Sequence, residues 1–410
     1  MSATRCPVGA AGGAATDRPD RPDRPDRPAL VLRGLKKSFG DVPAVDGVDL
    51  EVRQGEFITL LGPSGSGKTT TLRMIAGFTR QSAGTIEIDG VDMSHVPPHR
   101  RDVGMIFQNY ALFPHMTAAM NIAFPLEMRQ ASRSEIKRRV AEALALVKLE
   151  GLGDRYPRQL SGGQQQRIAF ARAVVFHPRL LLMDEPLGAL DKKLREALQL
   201  EVMHISRQLG ATVIYVTHDQ EEALVISDRI AIFSRGRIEQ LGRGEDLYDR
   251  PVSLFVADFI GESNILRGRF ERDGDGGWLT LDDSRWRVGA AATARVALDG
   301  DRAAALVVRP ERLRIVDADD AGAVATAAPA VNSVEASVRD VLYLGSTRKY
   351  ELTLRDGQAA TVRQQVGGDE RAWQPGDRVR LAWAVDDGVL VPIRAAEAVS
   401  SGDLPARTRA

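Results

Sequence analysis

The stretch Gly62-Pro63-Ser64-Gly65-Ser66-Gly67-Lys68-Thr69 constrains this chain more than any other, because it satisfies the pattern G-x-x-x-x-G-K-[ST]. The pattern carries meaning only between a strand and a helix. Here the apolar run Phe57–Leu61 precedes it, and a helical stretch, Thr70–Ala76, follows and is closed by Gly77. The glycines let the backbone wrap closely around phosphates, with successive N–H groups pointing inward. The start of the following helix adds partial positive charge. On this reading Lys68 reaches the β- and γ-phosphates of ATP, the Thr69 hydroxyl ligates Mg²⁺, and Thr70 extends the nucleotide-binding set.

A second apolar run, Leu180–Met183, delivers the acidic pair Asp184 and Glu185 to its C-terminal end, where open α/β sheets bind their ligands. Alone, such a pair is commonly a loop start with surface acids. With a phosphate loop upstream, Asp184 suits the Mg²⁺ shell and Glu185 polarises the attacking water as general base.

Composition weakens other readings, although a local basic patch stays open. Lysine plus arginine (55) equals aspartate plus glutamate (55), so no global basic field draws nucleic acid. The single cysteine, Cys6, rules out a disulfide framework within the chain and fits a reducing compartment. No run reaches the ~18 apolar residues a membrane helix needs, and the first residues hold no apolar stretch of leader length. A cytosolic location is expected.

Residues 1–28 end in four Asp-Arg-Pro repeats, from Asp17 to Pro28, and read as an extended solvated tail. Residues 29–262 read as one α/β domain with a helical subdomain at about 109–175. The runs Phe57–Leu61, Leu180–Met183 and Thr212–Val216 lack alternation, as strands buried on both faces of a mainly parallel sheet do. Ser134–Leu149 reads as a helix with Ile136, Val140, Leu144 and Val147 on one face, Ser134 as cap and Gly151 after its end. From 263 to 396, short β-like runs such as Ala305–Val308 and Tyr350–Leu354 alternate with the turns Asp273-Gly274, Asp356-Gly357 and Asp387-Gly388. That predicts a smaller all-β barrel domain, with Ala318–Ala330 as a long loop and 397–410 as a frayed tail.

The stretch Leu160-Ser161-Gly162-Gly163-Gln164-Gln165-Gln166-Arg167 precedes the acidic strand and opens a helix, Gln164–Val175, whose N-terminus can hold an anion. It resembles the signature motif of the ABC ATPase family, which implies a P-loop NTPase fold of the ABC type. The resemblance covers about 235 residues, with the motifs in family order. It implies that Ser161, Gly162 and Gly163 of one subunit close over ATP held on the phosphate loop of another, making a two-fold symmetric homodimer. By the same resemblance, Gln108 contacts Mg²⁺ and the water, and His218 stands near the γ-phosphate. Asp191 reaches across the dimer. Phe39 stacks on adenine, although unaided it reads as core. Gly188 stands where the family usually has Ser.

The stretch Asn109–Thr117, rich in large apolar groups, is similar to the part of importer ATPases that receives a helix of a membrane subunit; part of it also serves as core. Val308–Glu311 and Asp340–Ser346 resemble the OB-like TOBE regulatory module of such importers. Gly236–Gln240 and Phe259–Asn264 look most like the spermidine/putrescine subfamily. The resemblance therefore implies an ATPase peripheral to the cytoplasmic face of the inner membrane. Its partners would be two integral-membrane permease subunits and, indirectly, a solute-binding protein. Ferric iron, phosphonate, sugar or sulfate are alternative cargoes, and a soluble ABC ATPase outside transport is a further alternative. Soluble ABC families usually insert a coiled coil or fuse two ATPase domains, and a binding regulator without turnover would lack Glu185 or His218.

Overall fold

The computed structural model describes residues 28–187, 192–281, 284–294, 302–318, 331–367 and 371–393. Both predicted tails (except Pro28), nearly all of the loop Ala318–Ala330, and Gly188 and Asp191 lie outside the described residues.

The first strands, β1 (Leu30–Phe39) and β2 (Val42–Val52), pair antiparallel, with register shifts between Leu32 and Ser38. Next, β3 (Phe57–Leu61) feeds the phosphate loop and α1 (Lys68–Ala76). Strands β4 (Ala83–Ile88) and β5 (Val91–Asp92) complete a four-stranded antiparallel sheet in the order β2-β1-β4-β5. After β6 (Val103–Ile106) come three helices, α2 (Ala118–Met128), α3 (Arg133–Leu146) and α4 (Gly162–Val174). The chain continues through β7 (Leu180–Asp184), α5 (Lys192–Gln208), β8 (Thr212–Thr217) and α6 (Gln220–Ile226). It then passes through β9 (Arg229–Ser234), β10 (Arg237–Gly242), α7 (Gly244–Asp249) and α8 (Leu254–Phe259).

The second sheet has the order β10-β9-β3-β8-β7-β6, and all its pairs are parallel except β10 with β9. Strands β3, β7 and β8 are buried at every position, which is why their sequences show no alternation. The last two run one residue beyond the apolar stretch, to Asp184 and Thr217. The antiparallel sheet of β1, β2, β4 and β5 is an addition to the expected parallel one. Two helices start earlier than expected, α1 at Lys68 and α4 at Gly162. Helix α3 is capped by Ser132, whose side chain accepts from the Glu135 N–H, and not by Ser134. The expected apolar face is present, with Val140 buried and Ile136 and Leu144 packed against the same core.

The C-terminal β part contains β11 (Asn264–Asp273), β12 (Gly276–Leu281), β13 (Ser284–Val288), α9 (Ala290–Thr293) and β14 (Arg302–Val308). It continues with β15 (Arg314–Asp317), β16 (Val331–Tyr343), β17 (Thr347–Leu354), β18 (Ala359–Gln365), β19 (Arg378–Ala384) and β20 (Gly388–Pro392). Two five-stranded antiparallel sheets, β13-β12-β11-β14-β20 and β15-β19-β16-β17-β18, share one apolar core that includes Phe270, Trp286, Tyr350 and Trp383.

Three buried arginines join elements far apart in sequence, each by donating to backbone carbonyls. Arg101 donates to Val96 O, Met74 O and Ile75 O, satisfying carbonyls at the end of α1. Gly77 must lack a side chain there, since a Cβ would lie 2.5 Å from Arg101 Nε. Arg172 of α4 donates to Tyr110 O and Ala111 O, both at 2.8 Å. Arg309, just after β14, donates to Tyr248 O at the end of α7 and to Ala257 O in α8. It also reaches Glu262 O and Ser263 Oγ, and lies 3.9 Å from the Tyr248 ring centroid. Cations at helix C-termini are favourable because the last carbonyls carry partial negative charge. Arg309 thus fastens the β part to the end of the α/β part.

Candidate nucleotide site

The phosphate loop is shaped by positions that accept only glycine. A Cβ on Gly62 would lie 2.4 Å from Phe233 O, and one on Gly67, at φ +105°, would lie 2.5 Å from Ala44 O. Gly65 also has positive φ, at +77°. Pro63, Ser64 and Gly65 are exposed along the outer turn, Ser66 and Lys68 are buried, and Thr69 and Thr70 are half-buried. Lys68 Nζ donates to Gly62 O (2.7 Å), Pro63 O (2.9 Å) and Ser66 Oγ (3.5 Å), so the ammonium sits inside the curve of the loop. Burial holds its pKa below the usual lysine range, against the opposing pull of Glu185 and Asp184.

The other predicted residues meet at the C-terminal ends of adjacent parallel strands. Thr69 Oγ1 donates to Asp184 Oδ1 at 2.9 Å, bringing loop and β7 together. Burial raises the Asp184 carboxyl above its ordinary range, although the Thr69 hydrogen bond works the other way. Glu185, directly after β7, accepts from Gln108 Nε2 at 3.3 Å on Oε2, and its Oε1 lies 3.3 Å from His218 Nδ1. Gln108 follows β6 and His218 follows β8, so three strand ends converge on one carboxylate. Glu185 itself has φ +45°, and its N–H donates to Val216 O at 3.0 Å. A non-glycine residue there costs on the order of 1–3 kcal/mol, a strain typical of functional sites.

Ser161, by contrast, stays apart from this cluster. Its side chain accepts from the Gln164 N–H, and Gln164 Oε1 accepts from the Ser161 N–H, a capping box that opens α4 with Gly162 and Gly163 as its first residues. Phe39 lies at the end of β1, 57% exposed, with Lys37 Nζ 5.0 Å from its ring centroid. It is not core. Sequence reasoning missed two supports. Arg172 holds the carbonyls of Tyr110 and Ala111, two consecutive residues at positive φ just after Gln108. The signal was an arginine within an otherwise apolar helical run. The second is the buried Glu222, signalled only by an acid in the first turn of α6.

A strand, a glycine-shaped phosphate loop, a helix and an acid-ended neighbouring strand define a P-loop nucleotide-binding domain. The family model described as ABC transporter matches residues 45–188, and one described as TOBE domain matches residues 306–391. The spermidine/putrescine import ATP-binding protein PotA of Thermobifida fusca (strain YX) is 47% identical over 356 residues, covering 85% of this chain and 88% of its own. Its counterpart from Rubrobacter xylanophilus is 46% identical over 363 residues, covering 87% and 91%. That of Pseudomonas aeruginosa (strain UCBPP-PA14) is 44% identical over 373 residues, covering 88% and 98%. The chain belongs to the ABC transporter ATP-binding family, with a TOBE domain in its C-terminal part. It is a nucleotide-binding ATPase coupled to transport.

Proposed function

We propose that this chain works as one of two identical subunits that hydrolyse ATP to import a polyamine, spermidine or putrescine, through separate membrane subunits. The observation that carries the catalytic part is the convergence of Gln108 and His218 on Glu185, beside Lys68 and the Thr69–Asp184 pair. Polyamine cargo is supported by relatives of that printed function at 44–47% identity.

In this reading the loop N–H groups and Lys68 bind the β- and γ-phosphates, and Phe39 offers its exposed face to adenine. One carboxylate (Asp184) and one hydroxyl (Thr69) would hold Mg²⁺. When bound, the ion neutralises charge on the phosphates. Glu185 takes the proton of the attacking water, while Gln108 and His218 fix its carboxylate. The N-terminus of α4, with Ser161 and Gly162 exposed and Gly163 buried behind them, closes over the partner subunit's nucleotide. That arrangement explains why Ser161 has bonds only within its own turn.

No described helix is long and apolar enough to cross a membrane. The surface beyond Gln108 supports docking against membrane subunits at the cytoplasmic face. There Phe78 and Phe107 sit 5.9 Å apart, Phe113 and Phe124 sit 4.8 Å apart, and Met120 and Met128 are exposed. The test is Glu185→Gln in vesicles carrying the chain with its membrane subunits. ATP binding persists, while hydrolysis and spermidine uptake stop. Unimpaired turnover overturns the base role. Hydrolysis driving uptake of a sugar or sulfate, but not of spermidine, overturns the cargo.

A further inference from the structure

The His218 turn is enclosed by a ring of three hydrogen bonds. Thr217 Oγ1 donates to Glu222 Oε2 at 2.7 Å, the Glu222 N–H donates to Asp219 Oδ1 at 3.2 Å, and the Asp219 N–H donates to Thr217 Oγ1 at 3.0 Å. The ring thereby ties together the residues on either side of His218 and leaves the imidazole outside, 59% exposed and facing Glu185. Glu222 is the member that belongs to no motif. It is 5% exposed, and its Oε2 also accepts from Tyr215 Oη at 3.0 Å, within the fully buried β8. Arg195 approaches the ring from α5, with Nη1 3.2 Å from Asp219 Oδ2 and Nε 3.9 Å from Glu222 Oε1.

A buried carboxylate is costly unless hydrogen-bonded, and this one is held by the hydroxyls of Thr217 and Tyr215. Burial holds this carboxyl above its ordinary range, while the two hydroxyl bonds pull it down. A side chain this expensive beneath an exposed imidazole fits a device that fixes where the imidazole stands.

We infer that Glu222 is a positioning residue for hydrolysis, holding His218 at its distance from Glu185 through Thr217 and Asp219. The inference rests on the role given to His218 above. Glu222 touches neither nucleotide nor the reacting atoms, so its loss acts on kcat and not on nucleotide affinity.

Its test uses the full chain. Glu222→Ala removes the acceptor and opens the ring; displacement of a catalytic group by about 1 Å lowers rate up to about a hundredfold. The expected result is kcat reduced at least about tenfold, with KM and ATP-analogue affinity unchanged. Amide exchange of residues 217–222 accelerates in the same variant. Glu222→Gln keeps an oxygen that accepts from both hydroxyls, and it restores both kcat and exchange protection. Thr217→Val opens the ring at another point without removing volume, reproduces the Ala phenotype, and carries the test if Glu222→Ala does not fold. Parallel loss of kcat and affinity, failure of Gln to rescue, or unchanged exchange overturns the inference alone. An active His218→Ala overturns both the role of His218 and the inference.

Discussion

Replacing Arg309 by Met isolates the bond between the two halves of the chain. Arg309 is 5% exposed, and its guanidinium serves Tyr248 O, Ala257 O, Glu262 O and Ser263 Oγ. Methionine fills similar volume but donates nothing. Ala257 O keeps the Ser263 hydroxyl as donor at 2.7 Å, so two carbonyls, those of Tyr248 and Glu262, lose their side-chain donor. At ~1–3 kcal/mol for each stranded carbonyl, the loss is ~2–6 kcal/mol. Losing the charge at two helix ends and over the Tyr248 ring adds roughly 1 kcal/mol. Relief from burying a guanidinium offsets a few of these, leaving about 3 kcal/mol. For a unit of this size that lowers Tm by roughly 6–12 °C. Calorimetry of the full chain measures the shift. Limited proteolysis should show the variant cleaved near residues 260–264, where the parent resists. A variant that melts within about 2 °C of the parent and stays uncleaved would refute the claim that this cation joins the halves.

Other perturbations follow from the nucleotide site. Because burial raises the Asp184 pKa, the folded chain holds that proton more tightly than the unfolded chain. Its ionisation therefore costs stability above the folded pKa and nothing below the unfolded one. Asp184→Asn should raise the nucleotide-free Tm near neutral pH, with the gain vanishing as acid titrates the parent, and should abolish Mg²⁺-dependent stabilisation by ATP; thermal melts across pH check both. Ser161→Ala should cut turnover and weaken α4 by ~1 kcal/mol through its lost cap, yet leave nucleotide binding by the monomer intact. Binding titrations in dilute solution check this, and lost monomer affinity would contradict a site shared between subunits. Phe39→Ala should weaken ATP binding by ~1–3 kcal/mol without changing Tm, while Phe39→Tyr restores it; titration calorimetry separates the two.

Contiguous chemistry was the legible part. The phosphate loop, the acid-ended β7 and the signature helix each occupy a few neighbouring residues, and the structure brings the first two together through Thr69 and Asp184. Strands β3, β7 and β8 were legible because burial on both faces leaves a solid apolar run. Strand β1 was not, since its shifted register breaks any period of two, whereas Val48–Val52 of β2 alternates and was overlooked. The Ser132 cap was overlooked although Ser132 and Glu135 stand at capping-box spacing. Two joints could not be read at all, and the third, Arg172, showed only as an arginine in an apolar helical run. Arg101, Arg172 and Arg309 bond to carbonyls up to 62 positions away, and a carbonyl leaves no mark in a sequence. The ring around His218 is local, but its members are ordinary residues whose meaning appears only once the turn closes.

The left-handed backbone at Glu185 has an evolutionary consequence. Any lineage or laboratory selection that rewards heat resistance alone will find glycine or asparagine at that position advantageous, because either residue sits there more comfortably than glutamate. On the base role proposed for Glu185, such variants would persist longer and hydrolyse nothing. Glutamate at 185 is thus maintained only while turnover is being selected, and its replacement in a descendant copy would mark an ATPase that has been retired from work before it has lost its fold.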